Sequence, residues 1–132
     1  DLVTGVQTCA LPISILGLPG NPVSSNVSFE LLARPALRRL AGHRDAVRLP
    51  VEAVAGEAFD RRADGKVHYD RVVVTVDAAG RLRARRSGGQ GSNVLTAMAR
   101  ANGLAVLEDG PGVAAGAAIR VLLLADPVPE GA

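Results

Sequence analysis

The sequence predicts an α/β remnant, consisting of a strand, a loop and a helix, followed by a small all-β barrel or sandwich domain. Two observations indicate this. Within residues 15–41, a short apolar run leads into a loop rich in Gly and Pro, after which apolar residues recur at helical spacing. From residue 47 onward, short β-prone segments alternate with turns that contain Gly and Asp. We place the domain boundary in residues 43–47, where the pattern changes.

The loop before the first helix reads Gly-Leu-Pro-Gly-Asn-Pro-Val-Ser, residues 17–24. Proline fixes φ at Pro19 and Pro22, whereas the two glycines permit angles closed to other residues. Asn21 suits an N-cap, with Pro22 at the first helical position. Backbone N–H groups at such a helix start can bind an anion, although an ordinary turn has the same composition.

The first helix is predicted over residues 21–41 and ends at Gly42. Pro35 lies inside it and disfavours helical angles at Arg34, so we expect a kink or two shorter helices.

The β domain is predicted over residues 47–125, and residues 126–132 are predicted to form a disordered tail. The turn Asp77-Ala78-Ala79-Gly80 indicates a hairpin. The predicted strands are residues 47–55, 67–76, 81–85, 104–107 and 118–124.

One helix is predicted to interrupt the strands. It follows the Gly-rich run Ser87-Gly88-Gly89-Gln90-Gly91-Ser92, with Ser92 as its N-cap. Asn102-Gly103 should close it in left-handed angles. Such a helix start can also meet an oxyanion, but Gly-rich turns and Ser caps are common.

Residues 1–14 are predicted to have a different origin from the remainder. Val3 to Ile13 is identical to the translation of a widely used short-read sequencing adapter. We therefore predict that residues 1–14 are an artefact joined to a gene fragment. Cys9, the only cysteine, falls inside it, so the native part offers no disulfide or cysteine metal site.

Composition limits the partners. The formal net charge is +2, and Arg81, Arg83, Arg85 and Arg86 make one strand basic. Aromatic residues for base stacking are scarce, which favours a solvated strand face over nucleic-acid binding. No apolar run approaches the ~20 residues of a membrane helix, so no membrane partner is expected.

The motifs together resemble the molybdopterin molybdenumtransferases, the family of bacterial MoeA and the gephyrin E domain. The resemblance rests on the 17–24 loop, on Tyr69-Asp70-Arg71, on the run 87–92 and on Ala101-Asn102-Gly103-Leu104, in the family's order. It implies that residues 15–42 end the family's molybdopterin-binding α/β domain and that residues 47–125 form its C-terminal β domain.

The resemblance also implies chemistry: insertion of molybdate into adenylylated molybdopterin with release of AMP, dependent on Mg²⁺. Molybdate is a tetrahedral dianion, which guanidinium, hydroxyl and backbone N–H donors can hold. No catalytic residue and no metal ligand is assigned, because the family's acidic residues and lysines lie upstream. The residues implied to bind molybdate or molybdopterin are Arg71, Ser92, Ser24, Pro19, Gly20, Asn21, Pro22, Gln90 and Gly91.

Further expectations follow from the resemblance. The full-length protein should be a cytoplasmic homodimer, and the fragment should be inactive alone. An alternative from another class is a non-catalytic β-barrel scaffold or interaction module, a role that the gephyrin resemblance allows. Asp60, Asp64, Asp70 and Asp109 do not form a cluster with metal-ligand spacing, and His43 and His68 show no metal-ligand partner at helical spacing.

The adapter hypothesis predicts what the genomic DNA upstream of the Ile15 codon encodes. Resequencing the source DNA across the codons for Ser14 and Ile15 should show an open frame that continues into a pterin-binding domain. Adapter codons that persist in genomic DNA would contradict the hypothesis and favour the scaffold alternative.

Overall fold

A computed structural model describes residues 7–8, 14–88 and 94–132. The chain divides into two compact units, residues 1–47 and 48–132, and each is described by itself. Within the described residues, no helix has the length and apolar character needed to cross a bilayer.

The first unit contains two short strands and an interrupted helix. Strands β1 (Gln7–Thr8) and β2 (Ser14–Ile15) pair antiparallel. Helix α1 (Pro22–Ser28) and helix α2 (Arg34–Leu40) are joined by a π-helical turn, Phe29–Ala33.

The π-helical turn accommodates Pro35. Proline lacks an N–H, and its ring clashes with the carbonyl of the residue four positions earlier. The Arg34 N–H instead reaches back five residues to the carbonyl of Phe29, and Pro35 falls in the first turn of α2, where a missing donor costs least. The predicted interruption near Pro35 therefore takes the form of a widened turn, and Gly42 ends the helix at φ 86°.

The second unit is a β-barrel, as the strand pattern predicts. Its main strands are β3 (Val51–Ala55), β5 (His68–Val76), β6 (Leu82–Arg86), β7 (Gly103–Leu107) and β9 (Ala118–Leu123). Shorter strands are β4 (Phe59–Asp60), β8 (Gly112–Val113) and β10 (Val128–Pro129), and helix α3 spans Val94–Arg100.

The barrel closes because β5 pairs with two strands of the main sheet. The sheet runs β5, β6, β3, β9, β7, and β7 returns to pair with β5. The β3–β6 pair is parallel, and the other pairs of this ring are antiparallel. The predicted hairpin is confirmed: Val76 lies opposite Leu82, and the Gly80 N–H donates to the Asp77 carbonyl at 3.0 Å.

The interior is filled by residues that alternate along each strand, as a half-buried strand requires. Most are small or β-branched, so the barrel is narrow. The buried core consists of Ala53, Ala55, Phe59, Val72, Val74, Ala84, Ala105, Leu107, Ile119 and Val121.

Asn102 completes the barrel wall between β7 and β10. Its Oδ1 accepts from the Val74 N–H at 2.6 Å, and its Nδ2 donates to the Val74 carbonyl at 2.9 Å. The Asn102 main chain continues this role, since its N–H donates to the Val72 carbonyl at 3.1 Å and its carbonyl accepts from the Leu124 N–H at 2.8 Å. The side chain thus serves as one residue of a strand beside β5.

Two expectations are wrong. Asn102 and Gly103 do not adopt left-handed angles, because the chain leaves α3 and enters β7 directly. Gly103 is required for space: a Cβ there would lie 2.9 Å from side-chain carbons of Val121 and Val74. Residues 126–132 are not a disordered tail, because β10 pairs in parallel with the end of β5 and the Glu130 N–H donates to the Val76 carbonyl at 3.0 Å.

Replacing Asn102 by Ala should destabilise the barrel. The substitution leaves the Val74 N–H and carbonyl buried without these partners, at roughly 1–3 kcal/mol each, so we expect a loss of about 3 kcal/mol in the free energy of unfolding. Urea denaturation of the 132-residue chain measures it, with the exposed strand variant Glu52→Ala as the control. Equal stability of the two variants would show that Asn102 is dispensable.

Candidate functional site

The predicted loop forms a capped helix start. The Asn21 Oδ1 accepts from the Val23 N–H at 2.9 Å, which confirms Asn21 as the N-cap, and Pro22 begins α1. Ser24 is exposed in the first turn, and nothing lies within 4 Å of the position that a Cβ would take at Gly20. The loop therefore offers open backbone and one hydroxyl, but no charged side chain.

Arg71 lies in the first half of β5 in the second unit. It is half-buried and pairs in register with Leu104 of β7. Because strand residues alternate and Val72 points into the barrel, Arg71 lies on the outer face. Its carbonyl accepts from the Ser87 N–H at 3.1 Å, so the start of the 87–92 turn is fixed to the strand beside Arg71.

The turn is described only at its first two residues. Ser87 is buried and Gly88 adopts φ 121°, a conformation that favours glycine. A Cβ at Gly88 would lie 3.3 Å from the Ala97 Cβ of α3, so the turn passes close to that helix. The predicted site residues Gln90, Gly91 and Ser92 lie outside the described residues.

Arg86 ends β6 immediately before this turn. Its Nε lies 3.0 Å from Oδ2 of Asp70, and its guanidinium carbon lies 4.7 Å from the centre of the Phe59 ring. Its main-chain N–H donates to the Glu57 carboxylate at 2.5 Å. These contacts hold Arg86 in one orientation, with the cation over an aromatic face.

A second polar cluster, around Arg61, escaped the sequence analysis. The Arg61 side chain is only 5% exposed; its Nη1 donates to the carbonyls of Leu107 and Glu108 at 2.9 and 2.8 Å, and its Nη2 contacts Asp64 at 2.5 Å. Asp64 also contacts the His68 Nε2 at 2.8 Å, so His68 does have a partner four residues away. The four-residue spacing of Asp64 and His68 was a signal that the sequence offered. Nothing in the sequence indicates the contacts of Arg61 with residues 107–108.

A cleft of about 410 Å³ lies between these two clusters. It is lined by Asp60, Arg61, His68, Asp70, Arg86, Gly88 and Leu107. Asp70 and His68 alternate with Arg71 on β5, so the cleft lies on the face of that strand opposite to Arg71. No group of three or more His, Cys, Asp or Glu suited to a metal occurs among the residues described.

A family model for the MoeA C-terminal region (domain IV) matches residues 53–124. The chain belongs to the MoeA family. The resemblance inferred from the motifs is thereby confirmed, and the match covers Arg71 and the main barrel strands from Ala53 of β3 to the end of β9.

Relatives of this MoeA-family chain are named as transferases. The chain is 30% identical to the molybdopterin molybdenumtransferase of Haemophilus influenzae over 106 residues. The matched segment covers 80% of this chain and 26% of that relative. This chain is 37% identical over 108 residues to molybdopterin molybdenumtransferase 2 of Mycobacterium tuberculosis, with 81% and 26% covered. The chain therefore spans about a quarter of the length of these relatives.

A solved structure shares the fold. The crystal structure of the molybdopterin biosynthesis moeA protein from Pyrococcus horikoshii OT3 matches with a TM-score of 0.60 and 20% sequence identity, over 85% of this chain and 27% of that one. This likeness concerns the fold of the MoeA-family chain.

The hairpin turn at Asp77 should make the stability of the barrel sensitive to acid. Hydrogen bonds to its carboxylate lower the pKa of Asp77 below its ordinary value of 3.8. The main-chain N–H of Arg81 has the largest effect, and the Arg81 side chain and the Ala79 N–H have smaller ones. A carboxyl whose pKa is lowered by folding stabilises the fold above its unfolded pKa, and this contribution is lost as the pH falls through the folded pKa. Stability should therefore decline below pH 3.8.

Thermal unfolding of Asp77→Asn at a series of pH values measures this effect. The asparagine amide can still accept the turn hydrogen bonds but does not titrate. The thermal unfolding midpoint of the variant should therefore depend less on pH below 3.8 than that of the unmodified chain. Asp60→Asn, at an exposed position on β4, is the control. A profile for Asp77→Asn as steep as that of the unmodified chain would contradict the assignment.

Proposed function

We propose that this chain is the C-terminal part of a molybdopterin molybdenumtransferase that inserts molybdate into adenylylated molybdopterin with release of AMP. Family membership and the names of the relatives support molybdenum cofactor biosynthesis in general. The contact that carries the finer proposal is the Ser87 N–H bond to the Arg71 carbonyl, which places Arg71 beside the start of the Gly-rich turn.

Arg71 is proposed to hold molybdate. A guanidinium presents N–H donors in a planar fork that matches two oxygens of a tetrahedral oxyanion and keeps its charge at all physiological pH values. The 87–92 turn would add backbone N–H and hydroxyl donors, as the predicted roles of Gln90, Gly91 and Ser92 require. The loop from Pro19 to Ser24 is proposed to contact the molybdopterin substrate.

The Mg²⁺ that the family implies is proposed to be held outside this chain. Among residues 14–88 and 94–132, no three carboxylate or imidazole groups come together as a metal site, and Mg²⁺ requires oxygen ligands in near-octahedral geometry. We propose that other parts of the full-length protein supply the Mg²⁺ ligands and the catalytic groups. We also propose that the full-length protein is a cytoplasmic homodimer.

Replacing Arg71 by Ala in a full-length protein that contains this region should lower kcat/KM for cofactor synthesis by roughly a hundredfold or more, because a charged donor to the oxyanion is lost. Arg85→Ala is the matched control, since Arg85 is an exposed outer-face arginine on the adjacent strand. Release of AMP and formation of molybdenum cofactor are both measured.

Two experiments decide between the proposed function and its alternative. The 132-residue chain alone should produce no cofactor with adenylylated molybdopterin, molybdate and magnesium. Synthesis by the isolated chain would refute the proposed division of the active site. Unchanged synthesis by the Arg71→Ala enzyme would favour the scaffold alternative instead.

A further inference from the structure

Asp70 and Arg86 connect the two strands at the point where Arg71 lies. Arg86 is opposite Val72 in the β5–β6 register, and its Nε is 3.0 Å from Oδ2 of Asp70. Both neighbours of Arg71 along β5 are therefore tied to Arg86, one through the sheet and the other through a charged contact. Arg71 itself is bonded to Ser87, the residue that follows Arg86, because the Arg71 carbonyl accepts from the Ser87 N–H.

The Arg86 guanidinium is held on several sides. It lies over the ring of Phe59, a side chain that is fully buried, and its Nη1 donates to the Ala58 carbonyl at 3.1 Å. The Glu57 carboxylate accepts from the Arg86 main-chain N–H. The side chains of Asp70 and Arg86 are 31% and 35% exposed, so the pair is partly shielded from water. Stacking and a directed Nε contact require the planar guanidinium of arginine.

The pair and Arg71 lie on opposite faces of β5. Asp70 and Arg71 are consecutive strand residues, so their side chains leave opposite faces of β5. Asp70 and Arg86 line the 410 Å³ cleft, which does not include Arg71. A change at Asp70 therefore reaches Arg71 and Ser87 through the strand register and the Ser87 N–H bond.

We infer that Asp70 and Arg86 form a positioning pair that fixes Arg71 and the start of the 87–92 turn for oxyanion binding. This inference rests on the proposed function of Arg71. It assigns the pair no contact with substrate: its contribution is to hold the main chain of Arg71 and Ser87 in one position, so that the Arg71 side chain starts from a fixed point.

Kinetics of the full-length enzyme test the inference. Asp70→Ala should raise KM for molybdate roughly tenfold, the effect of losing about one charged hydrogen bond, while KM for adenylylated molybdopterin changes little. Asp70→Asn keeps an oxygen acceptor for the Arg86 Nε and should restore part of the affinity. Arg86→Lys keeps the charge without the planar group and should resemble Asp70→Ala.

The same hairpin supplies a matched control at its other end. Asp77 contacts the Nε of Arg81 at 2.8 Å, and this pair also joins β5 to β6, but at the turn. Asp77→Ala should destabilise the hairpin without raising KM for molybdate. Equal effects of Asp70→Ala and Asp77→Ala on this KM, or no effect of either, would overturn the inference.

Amide hydrogen exchange of Ser87 separates this inference from the proposed function. In the 132-residue chain, Asp70→Ala should accelerate exchange of the Ser87 N–H roughly tenfold, whereas Asp77→Ala should not. If the unmodified full-length enzyme makes no cofactor, the proposed function fails, and accelerated exchange still supports the positioning pair. Unchanged Ser87 exchange in Asp70→Ala overturns the pair, whatever the enzyme does.

Discussion

The barrel depends on the carboxamide of Asn102. Strand β5 has nine residues; its first half pairs with β7 and its last two residues pair with β10. Between these partners, Val74 needs a donor and an acceptor on that side, and Asn102 supplies both. A buried backbone group without a partner costs free energy comparable to a lost hydrogen bond, so this one side chain lets a single strand pass between two neighbours.

The same region explains why the barrel is narrow. Gly103 follows Asn102 and faces Val74 and Val121 at distances that leave no space for a Cβ. Four of the ten core residues are alanines, so the strands approach closely and the interior is filled without large side chains. Close packing of this kind leaves the register little freedom, because a shift of one residue would move Val72 and Val74 out of the core.

Features encoded locally were predictable from the sequence. The cap at Asn21 is a contact over two residues, and the turn at Asp77 is closed by contacts within four residues. The run Val72 to Val76 consists entirely of β-branched residues, which favour a strand wherever such a run occurs. The barrel class followed from several such segments, because each segment carries its own pattern.

Features that depend on distant contacts were not predictable. Asn102 follows a predicted helix and is a residue type that is common at helix ends. Its bonds to β5 become visible only when Val74, 28 residues earlier, is placed beside it. Arg61 resembles a surface arginine until the carbonyls of Leu107 and Glu108, 46 and 47 residues away, are placed beside it. The C-terminal residues looked like a tail because two residues are too few for a strand pattern, yet β5 holds them in place.

The candidate site uses the rigidity that this closure produces. A residue that binds a small tetrahedral anion must keep its donors in fixed directions, and a strand of a closed barrel provides that better than a free loop. Arg71 lies on the strand that carries the most pairings, and its carbonyl is bonded to the residue that starts the Gly-rich turn. Because the core face of β5 fixes the register, the outer face can carry charge without loss of the fold. The barrel interior and the proposed anion site are therefore two faces of one strand, and the hydrogen bonds that close the barrel also determine where Arg71 lies.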